Sequence, residues 1–157
     1  MRLLAELKPL ILVTVTVAVA GALVTLQSHA EIAALPTSIC EVQAHPEKFV
    51  GKRISVQASV LSDGVERTLL VEDREHACQG GIVPISDPKR PQSQAAGDQL
   101  SKAIFTGRPG TIDKKITALF TGVISMGDPD AFMLAPGRKI PLLTIESVEN
   151  IHVLPAN

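Results

Sequence analysis

The sequence predicts a mainly β domain in which five strands form a barrel. A short helix precedes the first strand, and a second helix lies between the third and fourth strands. Three observations support this prediction. Residues 53–60 alternate between polar and apolar side chains, as a half-buried strand does. Further apolar or β-branched segments are separated by glycine, proline and aspartate residues. One amphipathic helical pattern, at residues 95–105, interrupts them.

The first helix is predicted from its ends. Ser38 and Glu41 fit a capping box, in which the Ser38 hydroxyl caps the helix and the Glu41 carboxylate reaches back to the backbone. The helix is then predicted over residues 39–45, because Pro46 disfavours a helical conformation in the residue before it. Residues 31–36, which come before the cap, are predicted to be a linker.

The five strands follow from alternation and turn chemistry. Ser62-Asp63-Gly64 predicts a hairpin turn between the first two strands. Gly122, in the middle of the fourth strand, predicts a bulge or a sharp bend. The fifth strand is expected to break near Asn150. The predicted strands are residues 53–60, 68–72, 81–85, 115–125 and 142–154.

The second helix is predicted from an apolar face within residues 95–105, which follow a polar linker at residues 89–94. Four apolar residues recur there at the spacing of one helix face, so the helix is expected to pack this face against the strands. The face consists of Ala96, Leu100, Ala103 and Ile104.

The composition excludes several classes of protein. The 157 residues include 15 Lys and Arg and 16 Asp and Glu, for a formal charge of -1. Nucleic-acid-binding proteins normally carry a basic excess that meets the phosphates. The chain also has no Trp, no Tyr and 4 Phe, which leaves few platforms for stacking bases. We therefore predict one domain that binds no nucleic acid.

The first thirty residues differ from the rest. Residues 10–26 are uncharged, and Ser-His-Ala at positions 28–30 places small residues where a signal peptidase requires them. Two predictions follow from this segment: a cleaved signal peptide, or an uncleaved membrane anchor formed by residues 10–26. Both place the domain of residues 31–157 outside the cytoplasm. Cleavage makes the domain periplasmic or secreted, and only the uncleaved form attaches it to the membrane.

The order of the predicted elements is that of the OB-fold, a five-stranded, partly open barrel. The segment that leads from Cys40-Glu41 through Pro46-Glu47-Lys48-Phe49-Val50-Gly51-Lys52 into strand 53–60 resembles the helix-then-strand start of small exported bacterial OB-fold proteins, many of them uncharacterised. The resemblance covers residues 38–78, with the fourth and fifth strands matched by pattern only. It implies the fold and no particular function. An unrelated β-sandwich and a split sheet with one helix are the alternatives.

Cys40 and Cys78 are the only cysteines, and two cysteines in an exported domain predict a disulfide. This bond would join the first helix to the loop after the second strand. Two alternatives are a pair of free thiols and a zinc site made of Cys40, His45, His76 and Cys78. The spacing of these four residues matches no common zinc motif, and oxidation would remove both thiolates. We therefore predict no metal and no cofactor.

Charged residues on two loops are the candidate binding residues. In OB-folds, the loops between strands 1 and 2 and between strands 4 and 5 flank the usual binding face. The alternative is that aspartates beside glycine and proline stabilise turns. The face itself is expected to include Ser55, Gln57 and Ser59. The loop candidates are Asp63, Glu66, Arg67, Asp128, Asp130 and Arg138.

The sequence contains no catalytic Ser-His-Asp motif and no glycine-rich phosphate loop, so we predict that the protein is not an enzyme. The leading hypothesis is an exported OB-fold module that binds a protein or a small ligand. A second hypothesis is a membrane-tethered accessory subunit of a cell-envelope complex, which requires an uncleaved anchor. A third is a metal-dependent enzyme that uses the cysteine and histidine set.

Overall fold

A computed structural model of the chain describes residues 33–72, 78–128 and 139–155. These residues belong to the compact unit Glu31–Asn157. The predictions for residues 1–30 lie outside the described part of the chain. Within it, the protein is mainly β, as predicted, with six strands in one sheet and two α-helices. The elements are β1 (Leu35–Thr37), α1 (Ile39–Ala44), a 3-10 turn (Pro46–Lys48), β2 (Arg53–Ser62), β3 (Thr68–Val71), β4 (Val83–Ile85), α2 (Pro91–Phe105), β5 (Lys114–Gly127) and β6 (Ile140–Pro155).

The sheet is built around the long strands β2, β5 and β6. Its order is β1-β2-β5-β6-β4, and β3 pairs with β2 off this path. The β2–β3, β2–β5 and β5–β6 pairs are antiparallel, whereas β1–β2 and β4–β6 are parallel. Between β3 and the residue before β4 lies one bridge, in which Leu70 and Ile82 exchange two backbone hydrogen bonds of 2.8 and 2.9 Å. Without this bridge, the paired strands form an open sheet.

One core lies between the sheet and the helices. Ile39 and Val42 of α1 are fully buried in it, and Phe49 anchors the turn that leads to β2. The predicted apolar face of α2 is confirmed, because all four of its residues belong to the same cluster as Phe120 at the centre of β5. Both helices therefore form part of the fold's interior.

Helix α1 has the predicted cap in part. The Ser38 hydroxyl accepts a hydrogen bond of 3.1 Å from the Glu41 amide. The Glu41 carboxylate accepts instead from the Thr37 hydroxyl, at 2.9 Å. Thr37 ends β1, so this contact connects the strand directly to the helix.

Two linker predictions are wrong. The predicted linker 31–36 contains most of β1, which is only three residues long and therefore too short to show alternation. Helix α2 begins at Pro91 rather than at residue 95. Proline is favoured at the first helical position because its missing N–H has no partner there. The first turn is polar, and Ser93 is nevertheless buried with its hydroxyl accepting from the Asp87 amide, at 2.9 Å.

An irregularity lies at Gly122, as predicted, but the extra residue is on the partner strand β6 and not on β5. The register between β5 and β6 shifts between Thr121 and Gly122, so that Glu146 is an extra residue on β6. A second shift lies where the fifth strand was expected to break. Asn150, with a φ of 52°, forms part of a bulge there, and β6 continues through it to Pro155. Both irregularities are thus insertions in β6 rather than ends of the strand.

Candidate functional site

The predicted disulfide is confirmed: Cys40 and Cys78 are bonded, with their Cα atoms 5.3 Å apart. The bond joins α1 to the segment after β3, and two further contacts do the same. Glu72 accepts from the Ile39 amide at 3.0 Å, and the Gln43 amide group donates to the Gly81 carbonyl. A disulfide fits an oxidising, non-cytoplasmic compartment.

The zinc alternative loses both of its thiolates to this bond. His76, its third member, lies outside the described residues. Among those that are described, no group of three or more His, Cys, Asp or Glu side chains is placed to hold a metal ion. No helix in the same set is long and apolar enough to cross a membrane.

Asp63 organises the turn between β2 and β3. Its Oδ1 accepts hydrogen bonds from the amides of Val65, Glu66 and Arg67, at 2.9, 3.0 and 3.0 Å. The backbone hydrogen bonds from Arg67 and Val65 hold the pKa of the Asp63 carboxyl below its usual value. This is the turn-stabilising role that the sequence analysis set against ligand binding. Its role in ligand binding stays a prediction.

We expect Asp63→Ala to lower the melting temperature at neutral pH and to matter less in acid. A carboxyl whose pKa is depressed by folding stabilises the folded state above its unfolded pKa of about 3.9, and that stabilisation is lost as the pH falls through the folded pKa. Thermal unfolding at pH 7 and in acid, followed by circular dichroism, measures both differences. Glu66→Ala, which removes an exposed carboxylate from the same turn, is the control. A deficit of equal size at both pH values would contradict this role.

The two loops that carry the predicted binding residues lie at opposite ends of β5. Because β2 and β5 are antiparallel, the turn that holds Asp63, Glu66 and Arg67 lies beside the start of β5, whereas Asp128 follows its end. The 14 residues of β5 span about 45 Å of extended chain. Asp130 and Arg138 lie outside the described residues. Asp128 is thus distant from the first loop, and the part of the predicted convergence that involves Asp130 and Arg138 stays a prediction.

A cleft of about 730 Å³ lies on the outer face of the sheet, beside the first turn of α2. We define the outer face by the row Ser55, Thr121 and Ser147, which are direct partners across β2, β5 and β6. This row alternates with the buried Ile54 and Val56 and therefore points away from the core. The cleft is lined by Ala34, Arg53, Gln92, Thr121, Glu146, Ser147 and Glu149.

Glu146 joins the sheet to α2 at one end of the cleft. As the inserted residue of the bulge, it projects to the outer side together with Ser147. Its carboxylate accepts from Arg53 Nε at 2.8 Å and from Arg90 Nη1 at 3.3 Å, and Arg90 also pairs with Asp87 at 3.4 Å. The Glu146 side chain is 15% exposed, so little water screens its pair with Arg53. The part of the cleft wall formed by Arg53 and Glu146 is therefore held in place by ion pairs.

Thr121 lies on the floor of the cleft and is only 8% exposed. Among the described residues, no group forms a hydrogen bond with its hydroxyl, which is nevertheless not sealed from solvent. Next to it, the Ser147 hydroxyl donates to Glu149 Oε1 at 3.1 Å. Since the Thr121 hydroxyl reaches the cleft and has no partner among the described residues, it is available to a molecule in the cleft.

The sequence analysis identified one strand of this face and missed the rest. Gln57 is exposed, Ser55 is half-buried and Ser59 is buried. The signal that could have revealed the cleft is in β6. There the apolar residues Ile145 and Val148 are three positions apart, which breaks the alternation and marks an inserted residue.

Comparison with known proteins adds no relative to this description: no family model, curated protein or solved structure matches the chain.

Proposed function

We propose that this protein is an exported, non-enzymatic module of the OB-fold type that binds a small polar ligand in the cleft on its outer face. The observation that carries the proposal is Thr121, a residue only 8% exposed that lines a cleft of about 730 Å³ and whose hydroxyl has no partner among the described residues. Binding sites are typically concave and contain a few well-placed polar groups.

The strand pairing supports the OB-type barrel. Starting from β2, each strand pairs with the next in the order β3, β4, β6, β5 and back to β2, when the Leu70–Ile82 bridge is counted as the β3–β4 contact. The pair β4–β6 is parallel and the other pairs are antiparallel. Helix α2 lies between the third and fourth of these five strands, and β1 is an additional edge strand. We propose that the bridge closes the barrel.

Export is supported by two independent features. The Cys40–Cys78 disulfide fits an oxidising compartment, where such bonds mainly form and persist. The uncharged run at residues 10–26 and the small residues at 28 and 30 fit a signal peptide. The proposed location is thus the periplasm or the exterior of the cell.

We expect at least one small polar molecule to bind in the cleft and to depend on Thr121. The experiment is a nuclear magnetic resonance titration of the oxidised protein, isolated from an exporting host, with glucose, succinate, inorganic phosphate, spermidine and triglycine. A binding probe should shift the amide resonances around Thr121 and Ser147. Thr121→Val should weaken it about 5-fold, since a neutral hydrogen bond contributes about 1 kcal/mol.

The matched control is Thr117→Val, because Thr117 lies on the same strand and the same face, four residues from Thr121 and outside the cleft. This variant should bind as the unmodified protein does. The proposal fails if none of the probes shifts the cleft resonances, or if Thr121→Val and Thr117→Val bind equally well.

A further inference from the structure

We propose that the group recognised in this cleft is a primary ammonium, carried by a larger polar molecule; this inference rests on the proposed binding function. Three observations support it: three oxygen-bearing side chains that line the cleft, the charges around them, and the number of donors that an ammonium offers. The three side chains are Thr121, Ser147 and Glu149.

The sheet register brings the three oxygens together. Thr121 and Ser147 are direct partners in the β5–β6 ladder, so their Cβ atoms are about 5 Å apart on the same face. The Ser147 hydroxyl gives its proton to Glu149, at 3.1 Å, and its oxygen keeps lone pairs that can accept. The Thr121 hydroxyl has no partner among the described residues. The cluster is therefore rich in acceptors.

The charges of the cleft favour a cation. Of the residues that line it, Arg53 is positive and Glu146 and Glu149 are negative, which gives a formal charge of 1 − 2 = −1. Arg53 and Glu146 pair with each other at 2.8 Å. Within the described part of the chain, no lysine, arginine or histidine lies within ion-pair distance of Glu149. The excess negative charge is thus at Glu149, beside the two hydroxyls.

A primary ammonium fits this cluster better than the other cations do. It carries three N–H donors, which match the oxygens of Thr121, Ser147 and Glu149. Calcium takes 6–8 oxygen ligands, and no metal-holding group of acidic side chains is found among the described residues. A quaternary ammonium has no N–H to donate and is usually bound by aromatic faces, and none of the described residues that line the cleft is aromatic.

The rest of the ligand extends towards α2. The cleft, at about 730 Å³, is far larger than an ammonium group, and Gln92 of the first helical turn contributes an amide that can donate and accept. Two sources offer the same ammonium chemistry: a free polyamine and the amino terminus of a short peptide. They differ in that acetylation of a peptide amine removes the charge.

The test is a resonance titration of the oxidised protein from an exporting host with four probes: spermidine, triglycine, N-acetyltriglycine and tetramethylammonium. Spermidine or triglycine should shift the resonances of Thr121, Ser147 and Glu149, and tetramethylammonium should not. Glu149→Gln should weaken the binding about 5-fold, the modest loss expected when an exposed charge is removed. Glu47→Gln, at an exposed position outside the cleft, should leave it unchanged.

Each outcome decides something different. Binding of triglycine that disappears on acetylation identifies a peptide amine, whereas binding of spermidine alone identifies a polyamine, and both support the proposal. Equal binding of tetramethylammonium and spermidine overturns it. If glucose, succinate or phosphate from the first titration shifts the cleft resonances and no amine does, the proposed recognition of an ammonium is wrong and the proposed binding function stands. If no probe binds, both proposals are wrong.

Discussion

Gly122→Ala is expected to destabilise the protein by about 3 kcal/mol, the upper end of the usual cost of overpacking. A Cβ atom at this position would overlap the Thr144 carbonyl oxygen of the neighbouring strand. It would also lie 2.9 Å from the carbonyl carbon of Thr144 and 3.0 Å from the Cα of Ile145. All three atoms are backbone, so no side-chain rotation relieves the overlap. The β5–β6 ladder would have to separate at its first bulge.

Urea unfolding measures this effect as a lower midpoint with an unchanged slope. The control is Gly127→Ala at the end of the same strand, where the three atoms nearest to the new Cβ all belong to the side chain of Leu142. A leucine side chain can move to another rotamer, so we expect a loss below about 1 kcal/mol there. Similar midpoints for Gly122→Ala and the unmodified protein would show that the bulge does not require glycine.

Replacement of both Cys40 and Cys78 by serine is expected to cost about 3–4 kcal/mol. The bond closes a loop with a sequence separation of 38 residues, and a loop of that size restricts the unfolded chain by about this amount. Helix α1 should remain in place in the folded protein, because Ile39 and Val42 stay buried and Glu72 still accepts from the Ile39 amide. The double serine variant should therefore have a lower free energy of unfolding and the same fold.

Urea unfolding with and without reductant tests this expectation. Reduction of the unmodified protein should lower its midpoint to that of the double serine variant, and reductant should leave the variant unchanged. An unmodified protein with the midpoint of the variant before any reductant is added would contradict a stabilising role for the bond.

The parts of the fold that were predicted correctly depend on local patterns. Alternation over residues 53–60 located β2, helical spacing located the buried face of α2, and two cysteines in a domain predicted to be exported indicated the disulfide. The start of α2 was missed because its first turn is polar, and β1 because a three-residue strand carries no periodicity.

The cleft could not be predicted because it depends on register. Thr121 and Ser147 are 26 positions apart in the sequence, and they are partners because the β5–β6 ladder accommodates Glu146 as a bulge. If the register of Gly122 and Ile145 continued without a bulge, Thr121 would pair with Glu146, and Ser147 would lie opposite the buried Phe120. The Glu146 carboxylate also contacts Arg90, the residue before α2, and no pattern within β6 or α2 indicates this contact.

The two bulges in β6 change which residues face the core. Odd-numbered residues face inward before the first bulge, even-numbered residues between the bulges, and odd-numbered residues again after the second. Leu143 and Ile145, with odd numbers, pair with the inward positions Ile124 and Gly122; after Glu146 the inward residue is the even-numbered Val148. Beyond Asn150, odd numbers face inward again, as Val153 pairs with the buried Ile116. Loss of Glu146 would leave Ile145 facing inward, Ser147 outward and Val148 inward, so the ladder would become regular and the rest of the strand would keep its faces. Loss of one residue elsewhere in β6 would turn the following residues to the opposite face. The two bulges are thus the places where β6 tolerates a change of length.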